Sequence, residues 1–528
     1  MSLRKLIRGH IAKRGTGSRH APAAEAASAR EERHDVVIVG SGIGGAITAC
    51  RLAEAGVGSV VLERGRHWPL DPKGGTFPHF PSMDRRLIWL DDDSTPFPPL
   101  RDAPWSTLFT AVEAALPRST GLLDVVTEEP AVIVCGAGVG GGTLVYGAVL
   151  AQPPEPAFRA VFPALDHDRF DQVHYPRARD WLDAAPFPAD LLDEAPYTAH
   201  ALFDRAARAT GLPVETIRSA FDFDAVRDEL RGTRPRAATV GQYHFTGCDS
   251  GARASVDRTC LARARATGLT SVRALHRVTS LEQDRPGGYR VLAEHLAEDG
   301  TVVDRVVFRC GRLVLAAGVH TPRLLLAARR DGGLPHLHPS VGEGWGANGD
   351  HLAVVHTSGL PADTVQGGPS ATMVHDATGT VGLMHSPLAA PLNAGGMVLL
   401  GMGTADRFGR WTTGPDGRVR LDWDARYEAG ARARAEDLMR EVTGLLPDAG
   451  LTPVNPSRPV VTHATGGVRL GTVTDWHGRL RGHPGLYCLD GALLPGTTGS
   501  VNPALTIAAV VDHCLDGIID DFRDQRLP

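Results

Sequence analysis

The sequence predicts an α/β protein in which a parallel sheet begins near the N-terminus and an antiparallel sheet follows in the C-terminal half. Three observations carry this. H-D-V-V-I-V-G (34–40) is a short run of β-branched apolar residues, as a parallel strand buried on both faces requires. A helix rich in small residues (Ala46 to Ala55) and a second strand, S-V-V-L-E (59–63), complete a βαβ unit. Residues 350–425 alternate apolar and polar positions in short runs broken by Gly and Asp turns, the pattern of antiparallel strands.

The chain has 528 residues, room for two to four domains at roughly 100–200 residues each. Its 55 basic and 60 acidic side chains leave a net charge of -5, which argues against a nucleic-acid partner. It lacks the run of about 18 apolar residues that a membrane-spanning helix needs. Seven cysteines, scattered and without a C-x-x-C pair, predict neither a disulfide framework nor a structural zinc site. A reduced, cytoplasmic protein is expected.

Residues 1–33 stand apart as a basic tail without the apolar stretch of a signal peptide. Leu3, Leu6, Ile7 and Ile11 share one helical face, so the tail reads either as an amphipathic helix for a membrane or partner, or as poorly ordered chain. Residues 66–110 are dense in Pro, Asp and aromatics and read as a lid or binding loop. G-R-L-V-L-A-A-G-V-H-T-P-R-L-L-L-A-A (311–328) reads as strand, turn and helix.

The strongest motif is Gly40-Ser-Gly42-Ile43-Gly44-Gly45, a G-x-G-x-x-G that leaves a strand and opens a helix. Gly40 permits the tight turn, Gly42 lets the backbone approach a pyrophosphate, and Gly45 packs helix on strand. The phosphates then face the positive end of the helix. Glu63 ends the second strand about 20 residues on, where an acid receives ribose hydroxyls and disfavours a 2′-phosphate. The motif predicts a dinucleotide without separating FAD from NAD. A second glycine run, 136–142, is either a close-approach loop for a planar or charged ligand or a mobile turn.

A third constellation lies near the C-terminus. It runs from Thr462, His463 and Gly467 through Asp490, Gly491 and Pro495 to Asn502 and Pro503. Asn502 at the N-cap and Pro503 at N1 open a helix whose N–H groups and partial positive charge suit an anionic group, such as the N1–C2=O region of a reduced flavin. Taken singly, Asn502 is an ordinary cap, and His463 is one of 22 histidines.

In order along the chain, D-V-V-I-V-G-S-G-I-G-G, G-V-G-G-G-T-L-V-Y-G-A-V, S-V-D-R-T-C-L-A-R-A, L-V-L-A-A-G-V-H-T-P-R-L-L, V-G-E-G-W-G-A-N-G-D, T-H-A-T-G-G-V-R-L-G-T-V-T-D and L-D-G-A-L-L-P-G-T-T-G-S-V-N-P-A-L-T-I-A-A resemble the glucose–methanol–choline (GMC) oxidoreductases. Within them the resemblance is to bacterial cholesterol oxidases with non-covalent FAD. It implies a Rossmann-type FAD-binding domain (34–66, 111–160, 240–350 and 455–528). It also implies a substrate-binding domain with its lid (67–110, 161–239 and 351–454), built on a large antiparallel β-sheet covered by helices.

The resemblance also implies roles. His463 matches the active-site histidine that orients the substrate hydroxyl and serves as general base or hydrogen-bond partner, and Asn502 the second polar group beside the flavin. Gly40, Gly42, Ile43, Gly44, Gly45 and Glu63 match the ADP-binding fingerprint. Gly138, Gly141, Gly142, Tyr146 and Gly147 match the loop that passes the isoalloxazine ring. Asp490 and Gly491 match the ribityl segment, Pro503 the helix start against the flavin, and Val278 a backbone contact to adenine.

Two departures stand out. Tyr146 replaces the Asn usual in cholesterol oxidases. Asn393 falls where their isomerising glutamate is expected, and no Asp or Glu occurs between Asp376 and Asp406. Asn cannot act as a carboxylate base.

The expected chemistry is therefore oxidation of a secondary alcohol on a bulky, apolar, sterol-like or polycyclic molecule to a ketone. Hydride goes to flavin N5 and O2 regenerates the cofactor with release of H2O2, without steroid isomerisation. Alternatives are a GMC dehydrogenase or oxidase tailoring an intracellular secondary metabolite, or a flavin-dependent lyase. No metal is expected, and membrane contact only through the lid or the N-terminal tail.

Overall fold

A computed structural model describes residues 29–80, 84–90, 118–285, 287–390, 392–454 and 458–523. The tail helix expected at Leu3 to Ile11 and most of the expected lid lie outside them. The chain opens with β1 (Arg30–Val39), α1 (Ile43–Glu54) and β2 (Ser59–Leu62), followed by the hairpin β3 (Leu123–Thr127) and β4 (Val132–Gly136). After α2 (Thr198–Ala209) and β5 (Val214–Thr216) come β6 (Thr270–Arg273), β7 (His276–Arg285), β8 (Gly288–Leu296), β9 (Val302–Leu315) and α3 (His320–Arg330). β10 (Glu343–Trp345) precedes β11 (His351–His356), β12 (Thr372–His375), β13 (Val381–His385) and β14 (Met397–Gly403). Then follow β15 (Gly409–Thr413), β16 (Val419–Asp422), α4 (Ala429–Thr443), β17 (Gly450–Pro453), β18 (Val460–Val461), β19 (Leu486–Cys488) and α5 (Pro503–Arg523).

One sheet has the order β6-β2-β1-β9-β8-β7, with β19 also pairing β9. β6, β2, β1 and β9 are mutually parallel, while β7, β8 and β9 form an antiparallel meander. β9 is long enough to serve both arrangements: Val302 to Cys310 pairs with β8, and Leu313 to Leu315 with β19. The fully buried Val36, Val37 and Ile38 are the apolar run read from the sequence.

β1 starts four residues before the expected boundary of the tail. Arg30 to Arg33 continue the parallel ladder on Val306 to Arg309. The overhang of β9 supplies the backbone partners, and Arg309–Glu31 and Arg273–Glu32 ion pairs hold the charged side chains.

The second sheet, β17-β11-β14-β13-β12-β5, is antiparallel throughout, as expected from its turns. Its strands are not half-exposed, however. Every residue of β12, β13 and β14 is buried. One face packs Val355, Val374, Leu383 and Leu399 against Phe203 of α2 and Leu438, Met439 and Val442 of α4. The other packs Met373, Met384 and Leu400 against Val149, Ala151 and Val501 of the glycine-loop and α5 regions. That second layer presses the sheet against the site.

Candidate active site

The carboxyl ends of β1, β2 and β9, where α/β sheets place their ligands, open into a cavity of about 1600 Å³. Gly40 has φ +99°, and a Cβ there would lie 2.2 Å from Ala316 O, so β1 and β9 can converge only at glycine. The two glycine runs meet at this point. A Cβ on Gly141 would lie 2.7 Å from Gly42 Cα, whereas at Gly142 a Cβ would have nothing within 4 Å. Run 136–142 is thus a fitted loop whose open side faces the cavity.

Ser41 staples the loops. Its Oγ–H donates to Glu63 Oε2 at 2.7 Å and its Oγ accepts from Gly140 N–H at 3.1 Å. Glu63 lines the cavity, while its carboxylate also receives Ser41 N–H and Gly65 N–H. A ribose hydroxyl would share those oxygens, each of which has a second lone pair. Gly40, Gly42, Ile43, Gly44, Gly141, Gly142, Tyr146, Gly147, Val278, Asp490, Gly491, Asn502 and Pro503 also line the cavity. Gly45 and Gly138 lie behind the wall. A Cβ on Gly45 would strike Gly40 O at 2.0 Å, and one on Gly138 the Trp68 ring at 2.6 Å.

Asp490 is saturated by the protein. It accepts Thr321 Oγ1–H at 2.6 Å, Gly318 N–H at 2.7 Å and Ala492 N–H at 2.8 Å, clasping the β9–α3 turn to the segment after β19. Burial raises its carboxyl to about 6. Tyr146 donates to Ala254 O at 3.1 Å, and burial pushes its phenol well up.

On another wall Asp124 sits between Arg64 (2.6 Å) and His320 (3.0 Å), and Arg323 reaches His320 Nδ1 at 3.0 Å. Asp124, Cys135 and His320 approach within 4.8 Å of one another. Two guanidinium groups flank them, and burial holds His320 down at about 4, so the cluster suits ion pairing better than a cation.

At the cavity head the two C-terminal residues singled out from the sequence come together. Asn502 Nδ2 lies 3.3 Å from His463 Nε2, and Asn502 opens α5. Asn502 Oδ1 is buried without a partner among the described residues. On its other side His463 Nδ1 lies 2.8 Å from Asp350 Oδ2. Glu428, buried beneath, accepts Ala347 N–H at 3.1 Å and Gly349 N–H at 3.4 Å. Burial, and then the Asp350 charge, raise its carboxyl to about 7.

Sequence reading missed this acid pair, although Asp350 ends the quoted stretch V-G-E-G-W-G-A-N-G-D. It also missed His244. The loop at Tyr146 contains no histidine, yet the fold brings His244 to the cavity, its Cε1 3.7 Å from where a Cβ on Gly147 would stand. Burial, with the Arg253 and His463 charges, pushes His244 down to about 3, so it is neutral. Asn393, placed by sequence opposite the isomerising glutamate, is buried away from the cavity; its Oδ1 accepts Gly395 N–H at 3.0 Å in a turn.

Comparison with known proteins agrees with this geometry. Residues 415–510 match the family model described as GMC oxidoreductase, and residues 33–83 the FAD binding domain. A cholesterol oxidase of Acinetobacter baumannii is 24% identical, covering 92% of this chain and 94% of its own. A cholesterol oxidase of Mycobacterium tuberculosis is 27% identical over 58% of this chain and 50% of its own length. By these matches the chain is similar to GMC oxidoreductases.

In fold, the chain is similar to a pyridoxine 4-oxidase from Mesorbium loti (TM-score 0.62, 16% identity, 92% of this chain and 99% of that one). It is also similar to a fungal aryl-alcohol oxidase (TM-score 0.61, 15% identity, 93% and 99%). The family and the FAD-binding match imply FAD and an alcohol-type donor. The structure accommodates that cofactor. Gly42 and Gly142 present side-chain-free backbone to the cavity, α1 aims its uncapped N-terminus there, and Asn502 offers an unpartnered buried oxygen at the far end.

Proposed function

We propose that the chain is a GMC oxidoreductase that oxidises a secondary alcohol on a bulky, largely apolar molecule to a ketone, with FAD held non-covalently and O2 as electron acceptor. Bound FAD supplies the hydride acceptor. Gly42, Gly142 and the start of α1 would hold its diphosphate, Glu63 and Val278 its adenosine end, and Gly147 and Asn502 would border its ring.

The observation that carries the reading is the His463–Asn502 pair at 3.3 Å on the cavity head. Asn502 Nδ2–H can only donate, so its contact makes Nε2 the acceptor and puts the neutral ring's proton on Nδ1, where the Asp350 carboxylate lies 2.8 Å away as an ion-pair neighbour. Nε2 would take the hydroxyl proton, a general-base contribution of roughly 10²–10⁴-fold. Asn502 would hold the same oxygen, and the start of α5 would offset negative charge on the ring. Val145, Val149, Phe245 and Ile507 line the cavity, which favours an apolar substrate body.

Asn393 lies away from the cavity, and neither Asp350 nor Glu428 lines it. The reading therefore assigns Asn393 no part in a steroid isomerase step and leaves room for a non-steroid metabolite. Anaerobic bleaching of the flavin by a panel of 3β-hydroxysteroids and other polycyclic alcohols tests it. Bleaching by a sterol, with a ketone whose double bond has not moved, supports a sterol oxidase. Failure of every sterol, with His463→Ala behaving as wild type, removes the steroid assignment.

A further inference from the structure

We infer that Asp350 is a positioning residue for the alcohol oxidation proposed above, fixing the tautomer and orientation of His463 from behind while its neighbour Asn348 fixes the loop that presents Asn502. The inference rests on that functional reading but stands on its own geometry. Asn348 is fully buried. Its Oδ1 accepts Thr498 N–H at 2.9 Å and Thr498 Oγ1–H at 3.0 Å, and its Nδ2 donates to Val501 O at 3.0 Å, one residue before Asn502. Two residues later Asp350 Oδ2 lies 2.8 Å from His463 Nδ1, an ion-pair contact off the line of a hydrogen bond, so its influence on the ring is electrostatic. Glu428 accepts the amides of Ala347 and Gly349 between them. One four-residue turn, 347–350, thereby references both polar groups of the cavity head to each other, although they lie 39 residues apart.

The arrangement favours one tautomer. A carboxylate at Nδ1 stabilises the imidazole that carries its proton there, and it also stabilises the imidazolium formed once Nε2 takes a proton. The charged and titratable groups around it are Glu428 beneath, Arg432 beyond it on α4, the His351–Glu436 pair on β11 and α4, and His244 across the cavity. Glu428 titrates near 7 under the influence of burial and of Asp350 itself, so a second negative charge joins the pair only above neutrality.

The test uses FAD-loaded protein labelled with ¹⁵N-histidine, His463 being assigned by its loss in His463→Ala. Wild type is expected to show His463 as the neutral tautomer protonated at Nδ1. Asp350→Asn should lose that preference and lower kcat for the best alcohol of the panel by at least about 10-fold, with KM within about threefold and FAD content unchanged. Asp350→Glu, which keeps the charge, should recover the tautomer and part of kcat, and decides the matter if Asp350→Asn does not fold. An unchanged tautomer with kcat within twofold of wild type in the variant that folds overturns the inference. If no alcohol in the panel reduces the flavin, the functional reading fails, while the tautomer comparison still decides the role of Asp350.

Discussion

Gly42 and Gly141 touch backbone to backbone: a Cβ added to Gly141 would stand 2.7 Å from the Gly42 Cα, and one on Gly42 would meet only Gly141 Cα, at 3.9 Å. The two glycine runs, about 100 residues apart, thus form a single cradle.

That contact separates two substitutions. Gly141→Ala adds a methyl group against backbone at φ +54° and is expected to destabilise the fold by about 1–3 kcal/mol. Gly142→Ala points into open space and should leave the apoprotein within about 1 kcal/mol of wild type while weakening FAD binding. Thermal melts of apoprotein and FAD titrations check both. Equal losses of apo stability would contradict the assignment of the open side to the ligand.

His463→Ala is expected to slow anaerobic flavin reduction by roughly 10²–10⁴-fold, because it removes the proton acceptor and leaves Asn502 unpaired at Nδ2. FAD content should be unchanged, since His463 braces the head of the cavity rather than the diphosphate cradle. Stopped-flow reduction and the flavin-to-protein absorbance ratio measure the two quantities separately.

The contributions of Glu428 and Asp490 to stability should fall between about pH 4 and 7.5. Glu428 and Asp490 are both buried, with carboxyls raised to about 7 and about 6. A folded-state value above the unfolded one means that the native protein binds the proton more tightly. The stabilisation is full below the ordinary carboxylate range and is lost as pH rises through 6 and 7. Each group contributes on the order of 3 kcal/mol. Neutral buried His244 and His320, held down to about 3 and about 4, act with the opposite sign below the ordinary histidine range, so melts of FAD-saturated protein at fixed FAD concentration are read as wild type minus Glu428→Gln, a Tm difference that should decline as pH rises through 7. A difference that grows over this range would contradict the sign.

Denaturation in acid or guanidinium is expected to release all the FAD into the supernatant, since the loop at Tyr146 offers no histidine. Flavin fluorescence remaining with the precipitated chain would point instead to His244, which the fold carries to Gly147.

Much of this was legible in advance because it depends on local chemistry. The β-branched run at 36–39, the spacing of Gly40, Gly42 and Gly45, and Pro503 after Asn502 each dictate a strand, a turn or a helix start within a few residues. The boundary of β1 was not legible, because Arg30 to Arg33 are charged and become strand only through the overhang of β9. The burial of both faces of the second sheet was hidden for a similar reason: α2 and α4 cover one side and the site region the other.

From composition and short-range spacing came the α/β class and the dinucleotide fingerprint, while the candidacy of His463 and Asn502 came from the family resemblance. Contacts between distant segments decided the rest: that Ser41 joins both glycine runs to Glu63, that Asp490 clasps protein groups, that Asn393 stands outside the cavity, and that Asp350 and Glu428 back His463. A backbone turn is set by the few residues that make it, so its signal survives in one dimension. A carboxylate's partner and a histidine's environment depend on which remote segments share a buried volume, and only the packed chain brings those together.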